Sequence, residues 1–459
     1  MYQQHIELDH YIKQRNFSQL SASLKTYEPA EVGALLAKLD DQDALTVFKN
    51  LPDDRAAAVF KYLSHQRQLA VVDDLSVTEQ RLASLLNALS PDDRTAFFSA
   101  LPEALVESYL AILDPKERKN AIHLLSYPAD TVGRLVTTDY LALRSDWTVE
   151  QALRHIRRFG KDSETINVIY IVDRDWRLLD DLRLREVLLA SPEASIASLM
   201  DNHFIALSAT EDREKAVRIF RDYDRAALPV VDDDGVLVGI VTSDDMLDVA
   251  EEEATEDMQL LGGLEALDSP YMNTPLSVLM KKRSRWLVVL FIGEMFTATA
   301  MGFFEAELAQ AVVLGLFLPL IISSGGNSGS QAASLIIRAL AVGDVRLRDW
   351  WRVMHREIIS GLFLGSLLGL LGFLRVVVWA NVFGIYGEHW LPLGITVALT
   401  LIGVVTWGTL AGSMLPFILK RFGADPAVSS APFVATLVDV TGLVIYFSIA
   451  AVVLSGTLL

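Results

Sequence analysis

One aspartate stands inside the last apolar segment of this 459-residue chain, in the phrase SSAPFVATLVDVTGLVIYF. Asp439 lies about eleven residues into the segment, roughly 16 Å at helical rise and therefore near the middle of a hydrocarbon layer of about 30 Å. A carboxylate at this depth costs about 2.5–3.5 kcal/mol on insertion scales and is rarely kept without a use, which is usually an ion path. No Lys or Arg occurs in the same segment to neutralise it. The residue predicts a path for cations; a buried acid bonded to Asn327 or to a hydroxyl is the alternative.

A glycine-rich stretch, PLIISSGGNSGSQAAS, occupies the second apolar segment. Glycine and asparagine are poor helix formers, so we expect irregular backbone around Gly325, Gly326, Asn327 and Gly329. At membrane depth such backbone is tolerated only where it is buried in protein or lines a wet cavity. The alternative is a small-xxx-small surface, formed by Gly325 and Gly329, on which two helices pack closely.

Glu294 is a second acid within an apolar segment, and it follows the basic residue Arg285 by nine positions. A structural role near the membrane surface and a functional role are both open for it. His355 and Glu357 lie at a predicted membrane edge and lack the spacing of metal ligands. The sequence contains no His-rich zinc pattern, Walker loop or serine nucleophile motif, so we expect no enzymatic activity.

The polar groups of the apolar segments are carboxylate, amide, hydroxyl and backbone carbonyl oxygens. Such hard ligands suit Mg²⁺, with Mn²⁺ and Ca²⁺ next. Mg²⁺ gives up water reluctantly, so a sparse site can act on the hydrated ion through outer-shell contacts. One aspartate per chain is few for a dication. Two-fold assembly would place two Asp439 side chains about one axis, and five helices are also few to enclose a pore alone.

Five apolar segments long enough to cross a bilayer fill the C-terminal part of the chain. Lys and Arg cluster before the first segment, between the second and third, and between the fourth and fifth, whereas the other two loops contain none. The positive-inside rule predicts a multi-pass protein of the cell (inner) membrane with a cytoplasmic N-terminus and an outside C-terminus. We place the segments at 286–304, 311–337, 358–380, 391–419 and 428–457.

The net charge of −18 belongs to the part of the chain ahead of these segments. Up to Pro270 there are 28 Lys and Arg against 49 Asp and Glu, and from Tyr271 onward there are 12 against 9. Such a negative field disfavours nucleic acid as a partner and gathers cations. The absence of cysteine excludes disulfides and thiolate metal sites.

Residues 1–128 form a helical repeat in which leucine recurs at a step of twelve, with a single step of fourteen. Most phrases between the leucines begin with Pro or Asp and continue with apolar residues at i, i+3 and i+4. Twelve residues allow one short helix and a turn, and stacked units of this kind build an α-solenoid. The repeated residues are Leu39, Leu51, Leu63, Leu75, Leu89, Leu101, Leu113 and Leu125.

Residues 129–250 contain a second repeat, with copies at 129–193 and 194–250. Each copy predicts strand, helix, strand, turn, strand and helix. The pair resembles tandem CBS domains, small α/β modules that often bind adenine nucleotides. The second copy carries GIVTSDDML, which matches that family's ribose-binding Thr-x-x-Asp and makes Thr242 and Asp245 candidate ligands for ATP. The first copy reads DDLRLREVL at the corresponding position and lacks the motif. The alternative is a pair of modules that binds no ligand.

An acidic connecting segment follows at 251–283, ahead of a five-helix membrane domain at 284–459. The phrase DMLDVAEEEATEDMQLLGGLEALDSP, at 245–270, is predicted to form one long helix that ends near its glycines. The fold class that emerges is a multidomain α-helical integral membrane protein with a solenoid, a CBS pair, a connecting helix and five transmembrane helices.

The whole chain resembles the MgtE family of magnesium transporters and channels in the order of its parts. The most specific phrases are PLIISSGGNSGSQ and DPAVSSAPFVATLVDVTG. The resemblance implies a homodimeric, Mg²⁺-selective channel whose pore is lined by the second and fifth spans. Asp439, together with nearby carbonyls such as that of Ala435 and with Asn327, would form the ion site. Asp425 matches an acid at the pore entrance.

The resemblance also implies that the cytosolic domains bind Mg²⁺ and that the connecting, or plug, helix then closes the pore. The acidic composition supplies a physical reason, because faces that repel each other at low cation concentration are drawn together by bridging dications. The candidate regulatory ligands are Asp92, Asp93, Asp244, Asp245, Asp248, Glu251, Glu252 and Asp257.

Two other functions fit part of the sequence. A membrane-tethered CBS nucleotide sensor without transport would explain the CBS pair and the solenoid, but it leaves Asp439 without a use. A CBS-regulated anion channel conflicts with an acid in the pore that no fixed cation offsets.

Overall fold

The chain forms two compact units, Met1–Ala250 and Glu251–Leu459. The computed structural model describes residues 11, 14, 17–24, 26–76, 79–267, 271–272 and 274–455. Within these residues, five helical segments are long and apolar enough to cross a membrane, which confirms the five predicted spans. They are Leu276–Phe303, Val312–Ala341, Leu347–Phe383, Gly387–Arg421 and Ala431–Val453.

Short helices stack at the start of the first unit, as the twelve-residue repeat predicts. The repeated leucines lie at the junctions between helices, and Leu51, Leu63 and Leu89 are buried in one apolar cluster. Pro91 and Pro115 occupy the first turn of their helices, where a backbone N–H has no partner to lose. The helices are α1 (Phe17–Leu24), α2 (Pro29–Lys38), α3 (Asp41–Lys49), α4 (Asp53–Phe60), α5 (His65–Leu75), α6 (Glu79–Ala88), α7 (Pro91–Ser99), α8 (Glu103–Ile112) and α9 (Pro115–Leu125).

Arginine side chains join successive helices of this solenoid. Arg94 is only 1% exposed, and it donates to the carbonyl oxygens of Leu86 at 2.8 Å and Leu89 at 2.7 Å. It also pairs with Glu117 at 2.7 Å, which supplies the counter-charge that a buried guanidinium requires. The acceptor carbonyls lie at the end of α6, where backbone carbonyl oxygens have no N–H donor within the helix. Arg118 repeats the arrangement at the end of α8.

Two α/β modules of the same topology complete the first unit and confirm the predicted second repeat. In each module a short strand runs parallel to a central strand, which pairs antiparallel with a third. The second hairpin turns at Gly235 with φ +77°, as its Asp-Asp-Gly sequence predicts. The elements are β1 (Ala142–Arg144), α10 (Val149–Phe159), β2 (Val168–Val172), β3 (Leu178–Arg183) and α11 (Leu184–Leu189), then β4 (Leu207–Ser208), α12 (Arg213–Tyr223), β5 (Ala227–Val231) and β6 (Leu237–Thr242).

The connecting helix α13 spans Ser243–Leu261. The prediction of a helix that ends near its glycines is confirmed, because Gly262 and Gly263 follow directly and Gly263 adopts φ +72°. A glycine in this left-handed conformation is a common helix terminator. Residues 268–270 and 273 of the predicted connecting segment lie outside the described residues.

The second unit is a bundle of long helices. Most of its apolar core is formed by three of them, α16, α18 and α19, and a 3₁₀ turn at Val312–Phe317 leads into α16. The bundle helices are α14 (Leu276–Phe303), α15 (Glu305–Gln310), α16 (Leu318–Ala341), α17 (Trp350–Phe383), α18 (Trp390–Arg421) and α19 (Ala431–Val453).

The glycine-rich stretch of the second span is helical throughout α16, so the expected irregular backbone is absent from these described residues. Glycines of α16 and α18 instead bring the two backbones together. A Cβ atom on Gly412 would lie 2.1 Å from the carbonyl oxygen of Gly329, and one on Gly408 would lie 2.4 Å from that of Gly325. The alternative prediction, a small-xxx-small packing surface, is therefore confirmed.

Candidate ion sites

Asp439 is half-buried on α19 and faces a glycine of α16. A Cβ atom on Gly326 would lie 3.6 Å from Asp439 Oδ1 and 3.5 Å from the Cβ atom of Ala435. The small residues Gly326 and Ala435 thus allow the carboxylate to approach the backbone of α16. Among the described residues no side chain or backbone group donates a hydrogen bond to Asp439, so the predicted bond from Asn327 is not formed.

Asn327 adjoins Gly326 and is exposed on the bundle surface. Its Nδ2 donates to the hydroxyl of Ser323, also exposed, at 3.4 Å. Gly325 and Gly329 face α18, and Gly326 faces α19, so Asn327 is left on a side of α16 that neither helix covers. Polar side chains in the middle of a spanning helix usually face a wet cavity or another protein chain.

Asp425 lies on the approach to α19. Its Oδ1 accepts a hydrogen bond from the backbone N–H of Ala427 at 2.8 Å and caps a 3₁₀ turn, Pro426–Val428. Ser430 then caps α19, accepting from the N–H of Phe433 at 3.4 Å. The exposed carboxylate of Asp425 is therefore held at a fixed place by a short capped turn.

Glu294, whose role the sequence leaves open, lies beside Asp439. A Cβ atom on Gly293 would lie 2.9 Å from Cγ2 of Thr436, so α14 and α19 approach closely at this level. The charges of Glu294 and Asp439 interact. Sequence reasoning missed this pairing because the two acids are far apart in the chain and share no motif.

Four of the predicted regulatory acids meet within the first unit. Burial, with the charges of Asp93 and Asp245, raises the pKa of Asp92 to about 7. Burial, with the charges of Asp244 and Asp93, raises the pKa of Asp245 to about 6 against the opposing hydrogen bond from Thr242. Asp92 and Asp93 begin α7, whereas Asp244 and Asp245 begin α13. The fold thus places acids of the solenoid beside acids at the start of α13, where their like charges repel.

Asp92, Asp93, Asp244 and Asp245 are called the acid cluster below. Sequence reasoning missed two further residues that lie near it, Lys61 and Glu164. Burial alone would lower the pKa of Lys61, but the charges of Asp93, Asp92 and Asp244 raise it. Burial raises the pKa of Glu164, which also interacts with Lys61, Asp244 and Asp93. Lys61 is therefore a tethered cation among at least four carboxylates. Neither residue belongs to a recognisable motif.

The other predicted regulatory acids lie along α13. Asp248, Glu251 and Glu252 are exposed, and Asp257 is half-buried. Three acids follow one another at a spacing of four residues on one face of α13: Asp244, Asp248 and Glu252. Like charges at this spacing destabilise a helix. Within the described residues no group of three or more His, Cys, Asp or Glu side chains is arranged to hold a metal ion.

The predicted nucleotide residues are already paired with each other. Thr242 Oγ1 donates to Asp245 Oδ2 at 2.7 Å, and Asp245 belongs to the acid cluster, which is a poor environment for phosphates. A cavity of about 570 Å³ lies elsewhere, between the first module and the loop that follows α12. Its lining includes Arg183, Arg185 and Arg225. Sequence reasoning missed these arginines because they come from two separate segments.

Models of known families match three parts of the chain. The MgtE intracellular N domain matches residues 27–130, a CBS domain matches 196–252, and the divalent cation transporter MgtE matches 318–449. The magnesium transporter MgtE of Thermus thermophilus is 41% identical over 375 residues, which cover 82% of this chain and 79% of the relative. The magnesium transporter MgtE of Bacillus subtilis is 30% identical over 365 residues, covering 80% and 79%.

Two solved structures resemble the part of the chain ahead of the membrane helices. The cytosolic domain of the Mg²⁺ channel MgtE in complex with ATP has a TM-score of 0.50 and 35% identity, covering 53% of this chain and 99% of that structure. The soluble part of a magnesium transporter has a TM-score of 0.51 and 26% identity, covering 55% and 99%.

Fold and sites together define a multi-pass membrane protein that carries a helical solenoid and a CBS pair ahead of its membrane helices. Identity to the relatives is high enough, over enough of both chains, to decide the family. The chain belongs to the MgtE family.

Proposed function

We propose that this protein conducts Mg²⁺ across the membrane along a path that passes Asp439. The observation that carries the proposal is the placement of this carboxylate in the middle of α19, against Gly326 and without a cationic partner among the described residues. A fixed, unneutralised acid at this depth attracts cations and repels anions. The names of the relatives as magnesium transporters support Mg²⁺ as the cargo.

The chemistry of the site suits a hydrated dication. Asp439 supplies one carboxylate, and the carbonyl of Ala435 one turn earlier and the amide of Asn327 supply neutral oxygens. Mg²⁺ keeps several waters in most protein sites, so these groups need only bond to its water shell. Asp425, held at the start of α19, would gather cations at one mouth of the path.

We further propose that two copies of the chain surround the path. One protomer leaves Asn327 and Ser323 exposed at mid-membrane, which is costly against lipid. A two-fold axis along this face would cover both residues and bring two Asp439 carboxylates to one ion. The soluble part would face the cytoplasm and the C-terminus the outside, as the distribution of Lys and Arg indicates.

We also propose that cytosolic Mg²⁺ regulates transport through the acid cluster and α13. The proposal divides the chain into a helical N domain (1–128), a CBS pair (129–250), a connecting segment (251–283) and a membrane domain (284–459). Dications bound between Asp92, Asp93, Asp244 and Asp245 would relieve their repulsion. Moving a two-state balance from mostly open to mostly closed takes about 5.5 kcal/mol of differential binding, which several weak sites can supply.

The end of α13 is placed to transmit such a change to the membrane helices. Leu260 and Leu261 pack against the apolar core of the bundle. A Cβ atom on Gly263 would lie 2.6 Å from Trp286 Nε1 and 3.3 Å from Pro432 Cγ, so the chain here touches the N-terminal half of α14 and the first turn of α19. A shift of α13 would therefore move the helix that carries Asp439.

ATP is a second ligand that we propose for the CBS pair. Arg225 of the cavity pairs with Asp181 at 3.3 Å, so Arg183 and Arg185 would supply the positive charge for phosphates. A structural relative with 35% identity is a complex with ATP. The site predicted at Thr242 and Asp245 remains the alternative location. Comparing ATP binding by Arg185→Ala and Thr242→Ala variants would decide between the two.

The test of transport is Mg²⁺ flux into liposomes that contain the full chain, measured at low and at high Mg²⁺ on the cytoplasmic side. We expect Asp439→Ala to abolish flux and high cytoplasmic Mg²⁺ to reduce it in the wild type. Glu388→Gln, an exposed acid between α17 and α18, serves as a control that retains flux.

Flux that survives Asp439→Ala would place the ion path elsewhere. A folded wild type without any flux would instead support a membrane-tethered nucleotide sensor, the leading alternative. Chloride flux into the liposomes would instead support the alternative of a CBS-regulated anion channel.

A further inference from the structure

Glu294 occupies the same level of the bundle as Asp439. It follows Gly293, whose close approach to Thr436 fixes the contact between α14 and α19, and Asp439 lies one turn beyond Thr436. The charges of the two acids interact at this contact. Glu294 therefore adds a second negative charge to the surroundings of Asp439.

No counter-charge neutralises Glu294 within the described part of the chain. It has no hydrogen-bond or ion-pair partner there, and its side chain is exposed. Two of the four basic residues at the start of α14 have partners elsewhere: Arg285 pairs with Glu265 at 3.0 Å, and Lys282 donates to the carbonyl of Ala266. An unpaired carboxylate in this position is costly against lipid, which indicates that this face of α14 meets water or protein.

We propose that Glu294 is a selectivity-determining residue of the ion path, a fixed charge that favours dications over monovalent cations near Asp439. The inference rests on the proposed passage of Mg²⁺ past Asp439 and deepens it. In one electrostatic potential a dication gains twice the energy of a monovalent ion, so a threefold enrichment of K⁺ corresponds to roughly ninefold enrichment of Mg²⁺. Removal of the charge should therefore reduce Mg²⁺ flux far more than K⁺ flux.

The experiment compares Mg²⁺ and K⁺ flux into liposomes containing full-length wild type, Glu294→Gln or Glu294→Asp. At low external Mg²⁺ we expect Glu294→Gln to reduce Mg²⁺ influx about tenfold and to lower the ratio of Mg²⁺ to K⁺ flux. The loss should shrink at saturating Mg²⁺ and at high ionic strength, because both screen a fixed charge. Glu294→Asp, which restores the charge, should restore the ratio. Glu305→Gln, an exposed acid on α15, is the matched control and should behave as wild type.

A wild-type flux ratio in Glu294→Gln would overturn the inference. Equal loss of both fluxes in Glu294→Gln and Glu294→Asp, with lowered thermal stability, would assign the residue to packing and would also overturn it. Asp439→Ala in the same assay separates this inference from the proposed path. If it abolishes flux while Glu294→Gln keeps the wild-type ratio, only the inference fails; if it leaves flux intact, the proposed path fails.

Discussion

At the scale of single residues, the environment of Asp92 links protons to the stability of the first unit. Its folded pKa of about 7 lies above the value of about 3.9 expected in an unfolded chain. Between these values the folded protein holds a proton that the unfolded chain has released. Stability therefore falls as the pH rises through this window. If Mg²⁺ binds these acids as proposed, it would offset the same repulsion at high pH, and its presence should reduce the fall.

We predict that the thermal unfolding midpoint of the full chain, in detergent with chelator, falls between about pH 4 and about pH 7. Asp92→Asn removes the titrating group, so its midpoint should fall less. Tryptophan fluorescence during heating provides the measurement. Glu103→Gln, an exposed acid on α8, should keep the wild-type pH dependence. A wild-type response in Asp92→Asn would contradict the role of this carboxylate.

At the scale of elements, the contact between α16 and α18 depends on the absence of side chains at facing positions. The Gly412 and Gly329 backbones are too close to admit a methyl group, since the Cβ atom would lie 2.1 Å from a carbonyl oxygen. Gly326, on the same helix as Gly329, faces Asp439. The packing of α18 therefore determines where α16 stands relative to Asp439.

Gly412→Ala is predicted to separate the two helices at a cost of about 1–3 kcal/mol and to reduce Mg²⁺ flux severalfold. Gly302→Ala is the matched control, because no atom lies within 4 Å of its added methyl group. That control should be neutral or should stabilise the chain by up to about 1 kcal/mol. Thermal midpoints in detergent and flux in liposomes test both. Equal midpoints for the two variants would show that α16 and α18 can separate without cost.

At the scale of the whole molecule, negative charge is concentrated ahead of the membrane helices. The part up to Pro270 carries an excess of 21 acidic over basic residues, whereas the remainder is slightly basic. The acids of α13 belong to the first part, and the end of this helix packs on the bundle core. We propose on this basis that cations bound along α13 would act on transport.

The corresponding prediction concerns Asp248 and Asp257 of α13. The double variant Asp248→Asn/Asp257→Asn should bind fewer cations along this helix and should continue to transport when cytoplasmic Mg²⁺ is high. Flux at low and high cytoplasmic Mg²⁺ provides the measurement, with Glu103→Gln/Glu107→Gln on α8 as a control of equal charge change. Normal closure of the α13 variant would remove these two residues from the regulatory mechanism.

The sequence by itself determined the elements whose signals are local. Leucine spacing and first-turn prolines predict the solenoid helices, and two similar copies predict the paired modules. Runs of apolar residues predict the five spans and place Asp439 in the middle of the last one. These patterns suffice because helix formation and membrane insertion depend mainly on neighbouring residues.

Only the tertiary structure decided which distant residues meet. The sequence allowed either a broken helix or close packing at Gly325 and Gly329. In the structure the helix is unbroken, and glycines of α18 pack closely against both residues. It could not place Glu294 beside Asp439 or Lys61 among the acids of the first unit. Such neighbours depend on the angles and distances at which whole helices pack, and no local pattern in the chain records them.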